Sequence, residues 1–225
     1  MSTTPRAVHE HEFEPQYGLP ERLPASERIV WQGSPSWTLL ARRAFHADKV
    51  AIYFALLLAW RLGATLADGS ALLPALRSTA WLLPLFASGL ALLLLLAWLT
   101  ARSAVYTLTD RRVVMRIGIV LTVTYNLPLA RIDRADLRPF GQGDAGDIAL
   151  VLEPDTRIAW LHLWPHVRPW RVSRPQPMLR SLPEAKQLSA QLATAWSQAN
   201  GVAATPAVPA EASRAPAHQP AFASR

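Results

Sequence analysis

STAWLLPLFASGLALLLLLAWLTA (residues 78–101) runs for 24 residues without a charged side chain. A helix rises about 1.5 Å per residue, so roughly 20 such residues cross a hydrocarbon core about 30 Å thick. Trp81 and Trp98 stand near the two ends, where indole rings favour the membrane interface. Pro84 falls in the first turns, where its missing N–H costs least. A helix apolar on every face is rare in a soluble core, so the stretch reads as a transmembrane span.

Upstream, VAIYFALLLAW (50–60) is interrupted by Arg61 and resumes as LGATLA. Residues 50–67 can span if Arg61 snorkels to the far interface; an interfacial or re-entrant helix is the alternative. Asp68-Gly69-Ser70 makes a turn, and ALLPAL (71–76) is too short for a span of its own. Arg42, Arg43 and Lys49 precede the first segment, and Arg102, Arg111 and Arg112 follow the second. The cation bias therefore places both termini in the cytoplasm. The N-terminus has no apolar run of signal-peptide type.

The rest of the chain differs in kind. Overall, 225 residues are 51% hydrophobic and 17% charged, with net charge +7. Residues 1–49 balance six basic against six acidic side chains, whereas 102–200 carry 13 basic and 8 acidic. There is no cysteine, which excludes disulfides, zinc–thiolate sites, iron–sulfur clusters and thiol nucleophiles.

After Ala101, AVYTLTDRRVVMRIGIVLTVTYNLPL (104–129) is dense in Val, Ile, Thr and Tyr, which suit pleated surfaces. Asp110 and Gly118 punctuate it as hairpin turns. Strands are expected near 104–109, 112–117 and 119–126, with a further pair near 147–153 and 157–163 joined by Glu153-Pro154-Asp155. Pro183 opens a helical run in which Leu188, Leu192, Ala195 and Trp196 form one apolar stripe, ended by Gly201. Short strands closed by one amphipathic helix suggest a small β-barrel or sandwich. Residues 201–225 hold 9 Ala and 4 Pro and are expected to be a disordered tail.

Gly141, Gly143 and Gly146 spell GxGxxG, but a strand follows where a dinucleotide site needs a helix; the expectation is a turn. His162 and His166 have chelating spacing, yet Pro165 separates them and no carboxylate stands near as a third ligand. His9 and His11 lie in an acidic N-terminus and support no site. GxSxG, HExxH and P-loop motifs are missing from the sequence, so no enzyme, cofactor or metal is expected.

One strip remains: WLHLWPHVRPWRVSRPQPMLR (160–180), with Trp160, Trp164 and Trp170, four Arg, and no acid between Asp155 and Glu184. Trp164, Arg168, Trp170 and Arg171 are the candidate partner- or lipid-binding residues. Trp160 is assigned to the strand and the core. The prolines favour an extended connection. The bland alternative is a solvated basic loop whose Trp residues pack on the barrel. A membrane tether argues against nucleic acid.

GLPERLPASERIVWQGSPSW (18–37), RRAFHADKVAIYFALLLAWR (42–61), YTLTDRRVVMRIGIVLTVTYNLP (106–128), GDIALVL (146–152) and IAWLHLWPHVRPWRVSRPQPMLR (158–180) together resemble the PuhB family of photosynthetic complex assembly proteins. TDRR before a glycine-closed hairpin is shared with many bacterial PH-like domains, whereas HLWPHVRPW is more particular to PuhB. The residues themselves give a membrane α-helical hairpin (50–67 and 78–101) after a cytoplasmic segment 1–49, and the resemblance implies a membrane protein with a PH-like domain. A cytoplasmic PH-like antiparallel β-barrel or sandwich (102–200), capped by the C-terminal α-helix, would follow. It also implies a non-enzymatic role in assembling the reaction centre, with an effect on the core light-harvesting complex. The implied partners are reaction-centre subunits, with core light-harvesting polypeptides, membrane lipid and a homo-oligomer left open. The implied location is the bacterial cytoplasmic, intracytoplasmic photosynthetic, membrane. A PH-like module for anionic lipid or general membrane homeostasis is the competing class.

Overall fold

The computed structural model describes residues 17–153 and 158–201. The expected tail beyond Gly201, His9, His11 and the Pro154-Asp155 part of the expected turn lie outside the described residues. The chain divides into two compact units. One comprises Met1–Thr107 with Val114–Asn126, the other Leu108–Val113 with Leu127–Arg225.

The first unit holds β1 (Ile29–Gly33), α1 (Trp37–Arg43), α2 (Ala47–Ala67), α3 (Leu72–Ala80) and α4 (Leu83–Ser103). Two helical runs, Ala47–Ala67 and Leu72–Ser103, are long and apolar enough to cross a membrane. Their apolar surface lies almost entirely on the outside of the structure. Such a surface in water is unfavourable in proportion to its area. The second run is broken at Trp81–Leu82, and Pro84 sits in the first turn of α4. Residues 71–76, too short for a span of their own, fall mostly in helix α3, which runs on to Ala80. A stretch too short to span is still long enough to wind once its apolar side chains find a neighbour; α3 packs on α2.

α2 and α4 run antiparallel. Ala47, at the start of α2, clusters with Ala41 of α1 and with Ala97, late in α4, under Phe45 and Leu90. Farther along, Phe54 of α2 stacks on Phe86 of α4 with ring centres 4.4 Å apart.

β2 (Val105–Thr109), β3 (Arg112–Ile117) and β4 (Val123–Pro128) join β1 in a four-stranded sheet, in the order β1-β2-β3-β4. Gln32 of β1 donates to Thr107 Oγ1 at 2.8 Å and to the Tyr17 carbonyl at 2.9 Å. β4 starts four residues later than expected. Ile119, Val120 and Leu121 have strand-like composition but form the turn.

The second unit contains a three-stranded antiparallel sheet, β5 (Ile132–Pro139), β6 (Gly146–Leu152) and β7 (Met178–Leu182), with β6 in the middle. The short helix α5 is Trp160–Leu163. The long helix α6 (Ala185–Asn200) covers β5 and β6 with Ala185, Leu188, Leu192 and Ala195. Trp196 Nε1 donates to the Ile132 carbonyl at 2.7 Å, so the predicted stripe is the buried face. Pro183 stands two residues before the helix, not inside it.

The strands form two sheets, not a closed barrel. β4 ends at Pro128, and Leu129–Arg131 winds into a 3-10 turn before β5. Proline supplies no ladder N–H and the tight turn redirects the chain, so β4 does not pair with β5. The β5–β6 loop carries Gly141 at φ +66° and is closed by Phe140 N–H donating to the Ala145 carbonyl at 2.7 Å. No helix follows it, so the GxGxxG pattern is a hairpin turn.

Candidate functional site

The Arg/Trp strip lies in the second unit and runs from α5 into β7. Of the strand expected at 157–163, the described residues 158–163 form none: Trp160–Leu163 is helical, and Trp160 is half-buried at its start. Trp160 Nε1 is enclosed without a hydrogen-bond partner among the described residues. After the cis Trp164–Pro165 bond the chain runs back along the entry to β7. His166 and Met178, Val167 and Pro177, and Arg168 and Gln176 face each other in turn. Met178 N–H donates to the His166 carbonyl and Arg168 N–H to the Gln176 carbonyl, both at 2.9 Å. This short ladder leaves residues 169–175 as a protruding loop.

The base of the loop is buried and firmly tied. Arg168 Nη1 reaches Asp136 Oδ2 on β5 at 2.7 Å and Gln176 Oε1 at 3.1 Å. Asp136 also receives Arg134 Nε at 3.1 Å. Arg180 Nη1 donates to the Pro165 carbonyl at 3.0 Å. His166 is fully enclosed, and its pKa is pushed down from 6.5 to about 3, first by burial and then by the Arg180 charge. It is therefore a neutral imidazole at pH 7. On β7, Ser181 at φ +54° marks a bulge whose amide donates to the buried Asp147 carboxylate at 2.8 Å.

The tip is the opposite. Trp170 is 96% exposed and held at φ +64°, a backbone region that costs a bulky residue on the order of 1 kcal/mol or more. Trp164 is 53% exposed, and Arg171, Val172 and Leu161 are exposed as well. Three of the four predicted residues thus present their side chains to solvent. The fourth, Arg168, turns inward and fixes the loop that carries Trp170 and Arg171, while Trp164 stands at the end of α5. Asp136 and Gln176 belong to the arrangement too; neither stands out in sequence, because Asp136 lies 32 residues away from its partner. His162 is exposed while His166 is buried, so this pair does not share one site.

A bacterial PH domain family matches residues 53–196. The uncharacterized 23.7 kDa protein in the puhA 5′ region of Rhodobacter capsulatus is 39% identical over 188 residues, covering 83% of this chain and 87% of that protein. No solved structure matches the chain. The relative is consistent with the PuhB resemblance. By the extent of both matches, the chain belongs to the bacterial PH domain family.

Proposed function

We propose that this protein is a non-enzymatic, membrane-bound assembly factor for the photosynthetic reaction centre, with a secondary effect on the core light-harvesting complex. The observation that carries the reading is the 39% identical relative from the puhA region, taken with the HLWPHVRPW run. PH-like domains are in general non-catalytic, and no enzymatic family is indicated.

In this reading α2 and the α3–α4 run anchor the chain in the photosynthetic membrane. Their antiparallel packing gathers Arg42, Arg43, Lys49 and Arg102 toward one end, which favours both termini on the cytoplasmic side. The Trp164–Arg171 loop docks a reaction-centre polypeptide at that face. Exposed Trp and Arg side chains on a fixed base contribute more to an interface than mobile ones, because less freedom is lost on binding. Arg168 acts as a positioning residue through Asp136 and Gln176.

Affinity purification of a tagged chain from phototrophically induced membranes tests the partner. Reaction-centre polypeptides should co-purify with the wild type and be depleted with Trp170→Ala/Arg171→Ala. Equal recovery with both would remove the loop from the interface. Absence of these polypeptides from both would count against the assembly role.

A further inference from the structure

The turn between β3 and β4 carries GIVLT (118–122). Turns of this kind ordinarily take Gly, Asn, Asp or Ser. Here Val120 is 89% and Leu121 81% exposed, and the flanking Ile119 and Val123 are exposed too. The turn is a built one. Gly118 stands at φ +122°, and a Cβ there would collide with the Leu121 carbonyl oxygen, so glycine is required for the tip to hold its shape.

The connectivity says what this tip faces. α4 ends at Ser103, and β2 begins at Val105. β2 and β3 are joined by Asp110-Arg111 alone, a link that only antiparallel neighbours can use. β2 therefore carries the chain away from the end of α4, and β3 brings it back. The 118–122 turn is where it returns. With strands about 4.8 Å apart and one residue between helix and strand, the tip lies within about 15 Å of the end of α4. That end bears an interfacial signature: the Arg102 guanidinium lies 5.4 Å from the centre of the Trp98 ring. Below it, Leu92, Leu95 and Trp98 continue an exposed apolar surface. An exposed apolar tip this close to a helix end that bears an Arg–Trp pair suits a bilayer better than water.

We propose that the β3–β4 turn inserts Ile119, Val120 and Leu121 into the lipid leaflet from which α4 emerges, giving the chain a contact with the bilayer beyond its helices. The proposal rests on the reading of α4 as a membrane span.

The full chain, free of cysteine, takes a single cysteine at Leu92, Arg111, Val120 or Leu121. Each is labelled with an environment-sensitive fluorophore and reconstituted in phosphatidylcholine–phosphatidylglycerol vesicles containing chain-brominated lipid. The label at 92 should be quenched best by bromines deep in the chains. Labels at 120 and 121 should be quenched best by bromines near the headgroups, and the label at 111, in the β2–β3 turn, should stay unquenched. Val120→Asp should reduce quenching at 121 several-fold. Unquenched labels at 120 and 121 beside a quenched label at 92 would overturn the insertion alone. An unquenched label at 92 would overturn the membrane span and the insertion with it.

Discussion

Arg168 Nη1 donates to Asp136 Oδ2 at 2.7 Å, tying the loop before β7 to the β5 strand 32 residues earlier. Both side chains keep some solvent contact, 30% and 20% of their surfaces, so the pair is screened and its worth is modest. Arg168→Ala or Asp136→Ala should each lower stability by about 1 kcal/mol, with the double variant costing less than the sum. For a chain of this size that corresponds to a melting shift of about 2–4 °C. Circular-dichroism melts of the detergent-solubilised variants would show it; unchanged melting in both singles would mean the pair holds nothing.

The tip should behave in the reverse way. Trp170 and Arg171 are exposed, so Trp170→Ala and Arg171→Ala should leave melting unchanged. If they dominate a docked interface, each truncation costs about 2 kcal/mol, or roughly 30-fold in affinity. In a strain lacking the gene, these variants should express normally yet restore less reaction centre than the wild type. Full restoration by the double variant would return the loop to a solvated basic segment. Trp160→Ala should instead reduce the amount of the protein, because Trp160 is half-buried at the start of α5.

These two predictions separate residues that look alike in sequence. The Trp/Arg strip was recognisable from composition, but not which of its cations turns inward, since that depends on a carboxylate brought close only by sheet pairing. The fold was legible where pattern and punctuation agree. β2 and β3 lie where Asp110 and the β-branched runs put them, and the Leu188–Leu192–Ala195 stripe is the buried face of α6. It was illegible where composition misleads. Ile119–Leu121 read as strand but turn, since Gly118 redirects the backbone. Residues 160–163 read as strand but wind into α5 just before Pro165. β1 and α1 carry no periodic signal long enough to register.

Burial of His166 has a consequence for pH. Its folded-state pKa, about 3, lies below the ordinary 6.5, so the unfolded chain binds the proton first as pH falls. The linkage destabilises the fold below pH 6.5, by about 1.4 kcal/mol per pH unit down to about pH 3, and vanishes above 6.5. Denaturation midpoints between pH 7 and 5, before most carboxylates titrate, isolate the effect. The slope should flatten in His166→Gln; an unaltered slope would show that His166 titrates normally.

Topology can be read with the same cysteine-free background. Ser70, between α2 and α3, should react in intact cells with an impermeant thiol reagent when replaced by cysteine. Gln198, exposed on α6, should react as cysteine only after the membrane is opened. The opposite pattern would reverse the orientation drawn from the cationic flanks.

Whether the protein assembles the reaction centre is decided by the reaction-centre content of membranes from a strain in which this gene is deleted, grown under phototrophic induction. An assembly factor's loss should give a clear fall in reaction centre and slow phototrophic growth, with respiratory growth unchanged and recovery on complementation. Normal reaction-centre content in the deletion strain would contradict it.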